Sequence, residues 1–296
     1  KEALARDEQS EQREFVAFSL QEHSRDLFYM LWLSHALSPK ELETAQGFFR
    51  SATIPAHQKG YVVSSLLLGL LRNFDQAKLL LLFDVFDQQQ QQVWQRAFVA
   101  LAIGLYLYDD LLQFYPSLLS RLDTLKENPE LGRNLEAVMI QIIKSKQTEE
   151  ISKKWEEEIM PEMHKMQPRI EDKLSLDDIL SDDTDEDKNP DWETVFEDSP
   201  DLLEKLQEFS QLQMEGSDVM MSAFSRLKNF DFFKELSNWF APFYRHHYAV
   251  LQALRHENID LSKFIENLEE SFHICNSDKY SFCFNIRFIP EAQKEM

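Results

Sequence analysis

The residues best suited to chemistry lie together late in the chain. From Phe232 to Tyr248 it reads FFKELSNWFAPFYRHHY, with paired histidines behind a proline and among aromatic rings. Two imidazoles could ligate a metal, or one could serve as a base beside a nucleophile. Adjacent helical positions diverge by about 100°, so His246 and His247 cannot close on one ion as an i, i+4 pair does. His256 lies too far along to share a face with both. No nucleophile or carboxylate nearby signals a catalytic partner. Phe232, Phe233, Leu236, Trp239, Phe240 and Phe243 recur at helical spacing, which predicts a buried helix, with Pro242 kinking it or opening a second helix over 243–255. What remains is an aromatic binding patch of Trp239, Phe243, Tyr244, Arg245, His246, His247 and Tyr248, residue types that anchor interfaces. The rival is an enzyme or small-ligand site assembled from distant residues: His164, Glu235, Tyr244, His246 and His247.

A second candidate is the acidic run over 171–201. Asp183, Asp185 and Asp187 have the alternation that opens a calcium loop. The pattern then fails. Lys188 stands where the sharp turn needs glycine, and Thr194 stands where a bidentate glutamate is required, with Glu193 one residue early. The run reads instead as an acidic linker, a place for a hinge and for proteolysis, or as a docking surface for a basic partner. Cys275 and Cys283 have neither zinc nor CxxC spacing and read as buried free thiols. No metal or other cofactor is expected.

These residues need elements to hold them. The chain has 296 residues, only 6 Gly and 10 Pro, and abundant Leu, Glu and Gln, a composition that predicts helix nearly throughout. The formal net charge of −21 repels phosphate backbones and anionic membranes. Solubility accounts for some of this charge, and a basic protein partner accounts for it more sharply. Nucleic acid and membrane are not expected as partners. Two unpaired cysteines and the lack of a signal peptide or a membrane-length apolar run suggest a cytoplasmic setting. The first residue is Lys1 and the last residues resemble a helix start, so the chain reads as a piece of a longer protein.

An internal repeat organises the first part. YVVSSLLLGLL (61–71) and RAFVALAIGLY (96–106) align without a gap at an offset of 35, and DLFYMLWLSHA (26–36) falls into the same register. Leu31, Leu66 and Leu101 share one slot, and the small residues Ser34, Gly69 and Gly104 share another, where a neighbouring helix approaches closely. The segments between, 39–50, 73–86 and 109–122, each open on a capping or turn residue and continue with apolar helical spacing. The unit is a pair of antiparallel helices, present about three times. One pair cannot bury its apolar face alone, whereas stacked pairs can. An ordinary antiparallel bundle is the competing architecture.

Further on, 128–145 reads as a helix with Asn128 as its cap and Pro129 at its first position, Ile151, Trp155, Ile159 and Met163 form a stripe interrupted by Pro161, and Ser199 and Pro200 restart helix. Gly216 and Ser217 mark a bend.

Gln91 to Leu105 resembles the second helix of a HEAT-type repeat, with Val93, Arg96, Ala97, Ala100, Leu101 and Gly104 where that pattern has them. The resemblance covers about 20–125. The 35-residue period is nearer the tetratricopeptide length, although no unit carries that family's Trp-Leu-Gly-Tyr and Pro signature. FDFFKELSNWFAPF together with NSDKYSFCFNI resembles bacterial, Bacteroides-type proteins described as containing tetratricopeptide repeats. That resemblance spans most of the chain. It implies repeats continuing past Met296 and brings no active site.

The expectation is therefore an all-α, right-handed superhelix of antiparallel helical pairs, an α-solenoid of HEAT or tetratricopeptide kind. It comprises a repeat domain (1–125), a helical extension (126–170), an acidic linker or loop (171–200) and an aromatic-rich helical region continuing the array (201–296). Its expected role is a non-enzymatic protein-interaction scaffold, with a basic protein or the parent chain's own C-terminal repeats as partner.

Overall fold

The computed structural model describes residues 2–162, 165, 200–219, 221, 228–255, 261–272 and 274–288. Among the described residues all secondary structure is helical, and no helix is long and apolar enough to cross a membrane. The calcium-like run, the acidic linker, His164, His256 and Met163 lie outside the described residues. The chain forms two compact units, Lys1–Met139 with Phe232–Tyr248, and Ile140–Asp231 with Ala249–Met296.

The first unit contains α1 (Glu2–Leu33), α2 (Pro39–Arg50), α3 (Ala56–Arg72), α4 (Gln76–Asp87), α5 (Trp94–Leu107), the single turn α6 (Asp109–Leu112) and α7 (Pro116–Lys126). The first helices of the successive pairs pack on one another, α1 on α3 and α3 on α5. The second helices do the same, α2 on α4 and α4 on α7, while α4 also lies along α5. Local chemistry sets these boundaries. Ser38 and Glu41 form a reciprocal capping box, with Pro39 in the first turn of α2. Asp75 caps α4 by accepting from Ala77 N at 2.8 Å. Its other oxygen accepts from Leu37 N at 2.9 Å, which ties the α1–α2 turn to the start of α4.

Two side-chain bonds to carbonyls recur 35 residues apart. Asn73 Nδ2 donates to the His35 carbonyl. Tyr108 Oη donates to the Leu70 carbonyl at 2.5 Å, the same bond displaced by 35 at both ends (108 − 73 and 70 − 35). Leu31, Leu66 and Leu101 are all fully buried. At the small-residue slot, a Cβ on Gly104 would stand 3.1 Å from Leu79 Cδ2, and one on Gly69 would stand 2.9 Å from the Leu31 carbonyl oxygen. Beside Gly69 the buried Lys78 ammonium donates to the Ser34 carbonyl at 2.6 Å, and burial lowers its pKa. Gly47, within α2, has open space where its Cβ would be. Gly47→Ala is expected to raise stability by about 0.5–1 kcal/mol through helix propensity alone, checked by urea denaturation.

Helix α8 (Leu131–Ser145) follows, with the Asn128 side chain accepting from Glu130 N at 2.9 Å at its start. In the second unit, α9 (Thr148–Lys154) runs into a π turn, Trp155–Ile159. There Met160 N donates back to Trp155 O, immediately before Pro161, which has no N–H to give. Ile151, Trp155 and Ile159 pack with Leu202 and Phe209 of α10 (Pro200–Met214) and with Val219 in one apolar core. Gly216 takes a left-handed φ of 89° at the bend after α10. Further helices among the described residues are α11 (Tyr248–Leu254), α12 (Ser262–Glu270) and α13 (Asn276–Asn285). Tyr280, Cys283 and Phe284 of α13 are buried, and Lys228 pairs with the buried Asp278 at 2.7 Å. Cys283 is a buried thiol pushed up to about 12 by desolvation. Cys275 is also free but lies in an exposed residue, unlike the expectation for both.

Candidate interaction surface

Residues 232–248 are not two long helices. They form one helical turn (Asp231–Lys234), a 3-10 turn (Leu236–Phe240), an irregular stretch through 244 and a turn at Arg245–His246, before α11 starts at Tyr248. The reason is local. Glu235 is extended (φ −82°, ψ 110°) and caps the 3-10 turn by accepting from Ser237 N. Ala241, directly before Pro242, is held at ψ 122°.

The segment lies on α1 and α3. Phe28 of α1 stacks on Tyr61 of α3 at 4.6 Å between centroids and meets Phe240 at 6.0 Å. Tyr29 donates to the Glu235 carboxylate, which also accepts from Ser237 Oγ at 2.9 Å. Burial works against that carboxylate, yet the bonds from Tyr29 and Ser237 outweigh it and hold its pKa below the usual value.

The expected patch is therefore largely consumed within the unit. Phe243 and His247 are buried. Tyr244 stacks on His57 of α3 at 3.8 Å and 17°. Tyr248 meets Phe18 of α1 at 5.0 Å. Arg245 is half-buried and His246 exposed. Trp239 is 44 % exposed but donates its indole N–H to the Phe233 carbonyl at 2.9 Å. His57 and His247 face a shared cavity of about 20 Å³, which also meets Tyr61, Asn238 and Pro242. That volume takes one water and no larger ligand. Desolvation holds His57 down at about 4, and desolvation plus the neighbouring His57 holds His247 at about 3, so both imidazoles are neutral near pH 7. Glu235, bound to Tyr29 and Ser237, is not among the residues lining this cavity. His57 carries no sequence signal, because a lone histidine in the first turn of a helix looks like any polar cap residue.

Two larger recesses among the described residues lie on the face formed by α2, α4 and α7. One, of about 360 Å³, is lined by Leu42, Leu80, Asp84 and Arg121 among others. The other, of about 460 Å³, is lined by Phe83, Phe86, Asp87, Leu125 and Arg121 among others. Arg121 of α7 is common to both. Its Nη2 is 3.0 Å from Asp84 Oδ1 and 3.0 Å from Asp87 Oδ2 at the end of α4, and its guanidinium lies over the Phe83 ring at 5.4 Å. The groove thus has an apolar floor, an acidic edge and one cation crossing it. Asp84 and Asp87 precede Arg121 by 37 and 34 residues, and nothing local in the sequence marks the three as neighbours.

Among the described residues no three His, Cys, Asp or Glu side chains gather in a way that could hold a metal ion. No family model, no curated protein and no solved structure matches the chain.

Proposed function

We propose that the chain is a protein-interaction scaffold, a superhelix of stacked helical pairs of HEAT or tetratricopeptide kind that is not an enzyme and that binds a basic protein partner. The observation that carries this reading is the repetition of one packing unit at an offset of 35, seen in the paired Asn73–His35 and Tyr108–Leu70 bonds and the buried column of Leu31, Leu66 and Leu101. Stacking of like units leaves the second helices side by side and extends their surface with each pair, which suits another chain better than a small molecule. The groove over α2, α4 and α7 lies on that surface. The link from architecture to role is an analogy, supported by the open groove and by the net charge of −21.

The test is capture by the immobilised full chain, with Leu80→Glu in the groove compared against Leu236→Glu on the exposed side of the 3-10 turn. The expected result is a set of retained proteins that Leu80→Glu loses and Leu236→Glu keeps, with thermal melting confirming that both variants are folded. Identical retention by both variants, or none by the parent chain, overturns the reading.

A further inference from the structure

The groove's own chemistry specifies its occupant more narrowly, on the premise that the scaffold reading holds. We propose that the α4–α7 groove receives an amphipathic, arginine-bearing segment of a protein partner, and that Arg121 holds the place of the partner's guanidinium until that segment docks.

Four features support this. Asp84 and Asp87 sit in the last turns of α4, where the helix dipole is already negative and where α4 has no basic residue of its own. The end of α4 is therefore set to accept a cation. Phe83 offers its ring face to the same cation, and two carboxylates beside an aromatic face suit the planar guanidinium better than an ammonium. The recesses on either side are floored by Leu42, Leu80, Phe86 and Leu125, which would receive the apolar side chains flanking an arginine on an amphipathic segment. Lastly, Arg121 is weakly held. Its side chain is 32 % exposed and its two partners 38 % and 58 % exposed, so a pair of this kind contributes little net stability and can be exchanged for an equivalent pair across an interface.

Lining charges point the same way. Asp84, Asp87 and Glu127 face the recesses against the single cation Arg121. A partner arginine that takes over the carboxylates releases Arg121 to solvent, and the lining keeps its excess of carboxylates for a further basic residue of the segment.

The test uses the full chain and a fluorescein-labelled helical peptide of about 15 residues, built from leucine and arginine, read by anisotropy at ionic strengths between about 0.05 and 0.3 M. Asp84→Asn with Asp87→Asn is expected to weaken binding by about tenfold or more. Asp109→Asn with Asp110→Asn, an equal charge change at exposed positions of α6, is expected to change it less than about twofold. Arg121→Met is expected to tighten binding several-fold by removing the internal competitor, and the same peptide with lysine for arginine is expected to bind more weakly. Equal weakening by the two Asp→Asn pairs overturns the proposal, because bulk charge alone would then explain the binding. Unchanged or weaker binding by a folded Arg121→Met overturns the placeholder role. If Arg121→Met loses helix, the comparison of the two Asp→Asn pairs decides. Capture of proteins that depends on Leu80 but not on Asp84 and Asp87 refutes this proposal while leaving the scaffold reading intact. Peptide binding through Asp84 and Asp87 without any Leu80-dependent capture refutes the scaffold reading.

Discussion

Lowering the pH from 7 to 5 is expected to cost the first unit about 4 kcal/mol, a fall in melting temperature of roughly 10 °C. The two imidazoles at the small cavity are the cause. Burial depresses His57 from its ordinary 6.5 to about 4, and burial with the neighbouring His57 depresses His247 to about 3. A depressed histidine binds its proton more readily in the unfolded chain. Its contribution is therefore complete above pH 6.5 and is lost as pH falls toward the folded values, the loss reaching about 3 kcal/mol for His57 alone once pH is below 4. The described residues lining the cavity include the phenol of Tyr61 and the two imidazoles, and Tyr244 stacks on His57. Carboxylates elsewhere titrate in the same range, so the measurement is a difference. Urea melts followed by tryptophan fluorescence, for the parent and for His57→Gln with His247→Gln, should diverge between pH 6.5 and 4.5, with the parent losing more. Parallel profiles would remove the histidines as the cause.

The second large effect is steric. Gly69→Val should destabilise the first unit by more than about 3 kcal/mol. A Cβ there would stand 2.9 Å from the Leu31 carbonyl oxygen and 2.7 Å from Lys78 Nζ, both nearer than real Cβ contacts come. The carbonyl belongs to the α1 backbone and cannot step aside alone. Displacing Lys78 would take a buried ammonium from the Ser34 carbonyl it donates to, leaving a charge without its acceptor. Gly104→Val occupies the equivalent slot but meets the ends of Leu79 and Leu70 at 3.1 and 3.3 Å. Flexible side chains yield, so its cost should stay near 1–2 kcal/mol, about the usual overpacking range. Denaturant titration of the two variants checks the order, and a larger loss at Gly104 would refute the argument.

Much of the helical layout was legible in the sequence because it rests on local signals. Pro39 and Pro200 stand at expected helix starts, whereas α4 begins at Gln76, capped by Asp75 and three residues after the expected opening at 73, and α8 begins at Leu131 although Asn128 still accepts from Glu130 N. The slot shared by Gly69 and Gly104 was visible because a close approach leaves a residue no room to vary in size. The stretch from Phe232 to Tyr248 was legible as core only in part, since Phe233 and Phe243 are buried whereas Leu236 and Trp239 are exposed, and it was not legible in shape. Its aromatic spacing has a helical period, yet Glu235 and Ala241 take extended backbone, the first to cap a 3-10 turn and the second because Pro242 follows. The recesses at Arg121 were not legible. Asp84 and Asp87 read as a solvated helix end, and nothing local connects them to an arginine a repeat away. His57 escaped notice for the same reason, since its stacking partner Tyr244 is far along the chain.

The seating of residues 232–248 on α1 and α3 also has a consequence for synthesis. The first unit is discontinuous in sequence, because Phe28, Tyr29, His57 and Tyr61 receive Phe240, Glu235, Tyr244 and their neighbours only after a long intervening stretch has been made. Helices α1 to α7 can pair from local contacts as they leave the ribosome. The aromatic face of α1 and α3 stays open until translation passes Tyr248. A chain ending before Phe232 lacks the side chains that cover that face of α1 and α3.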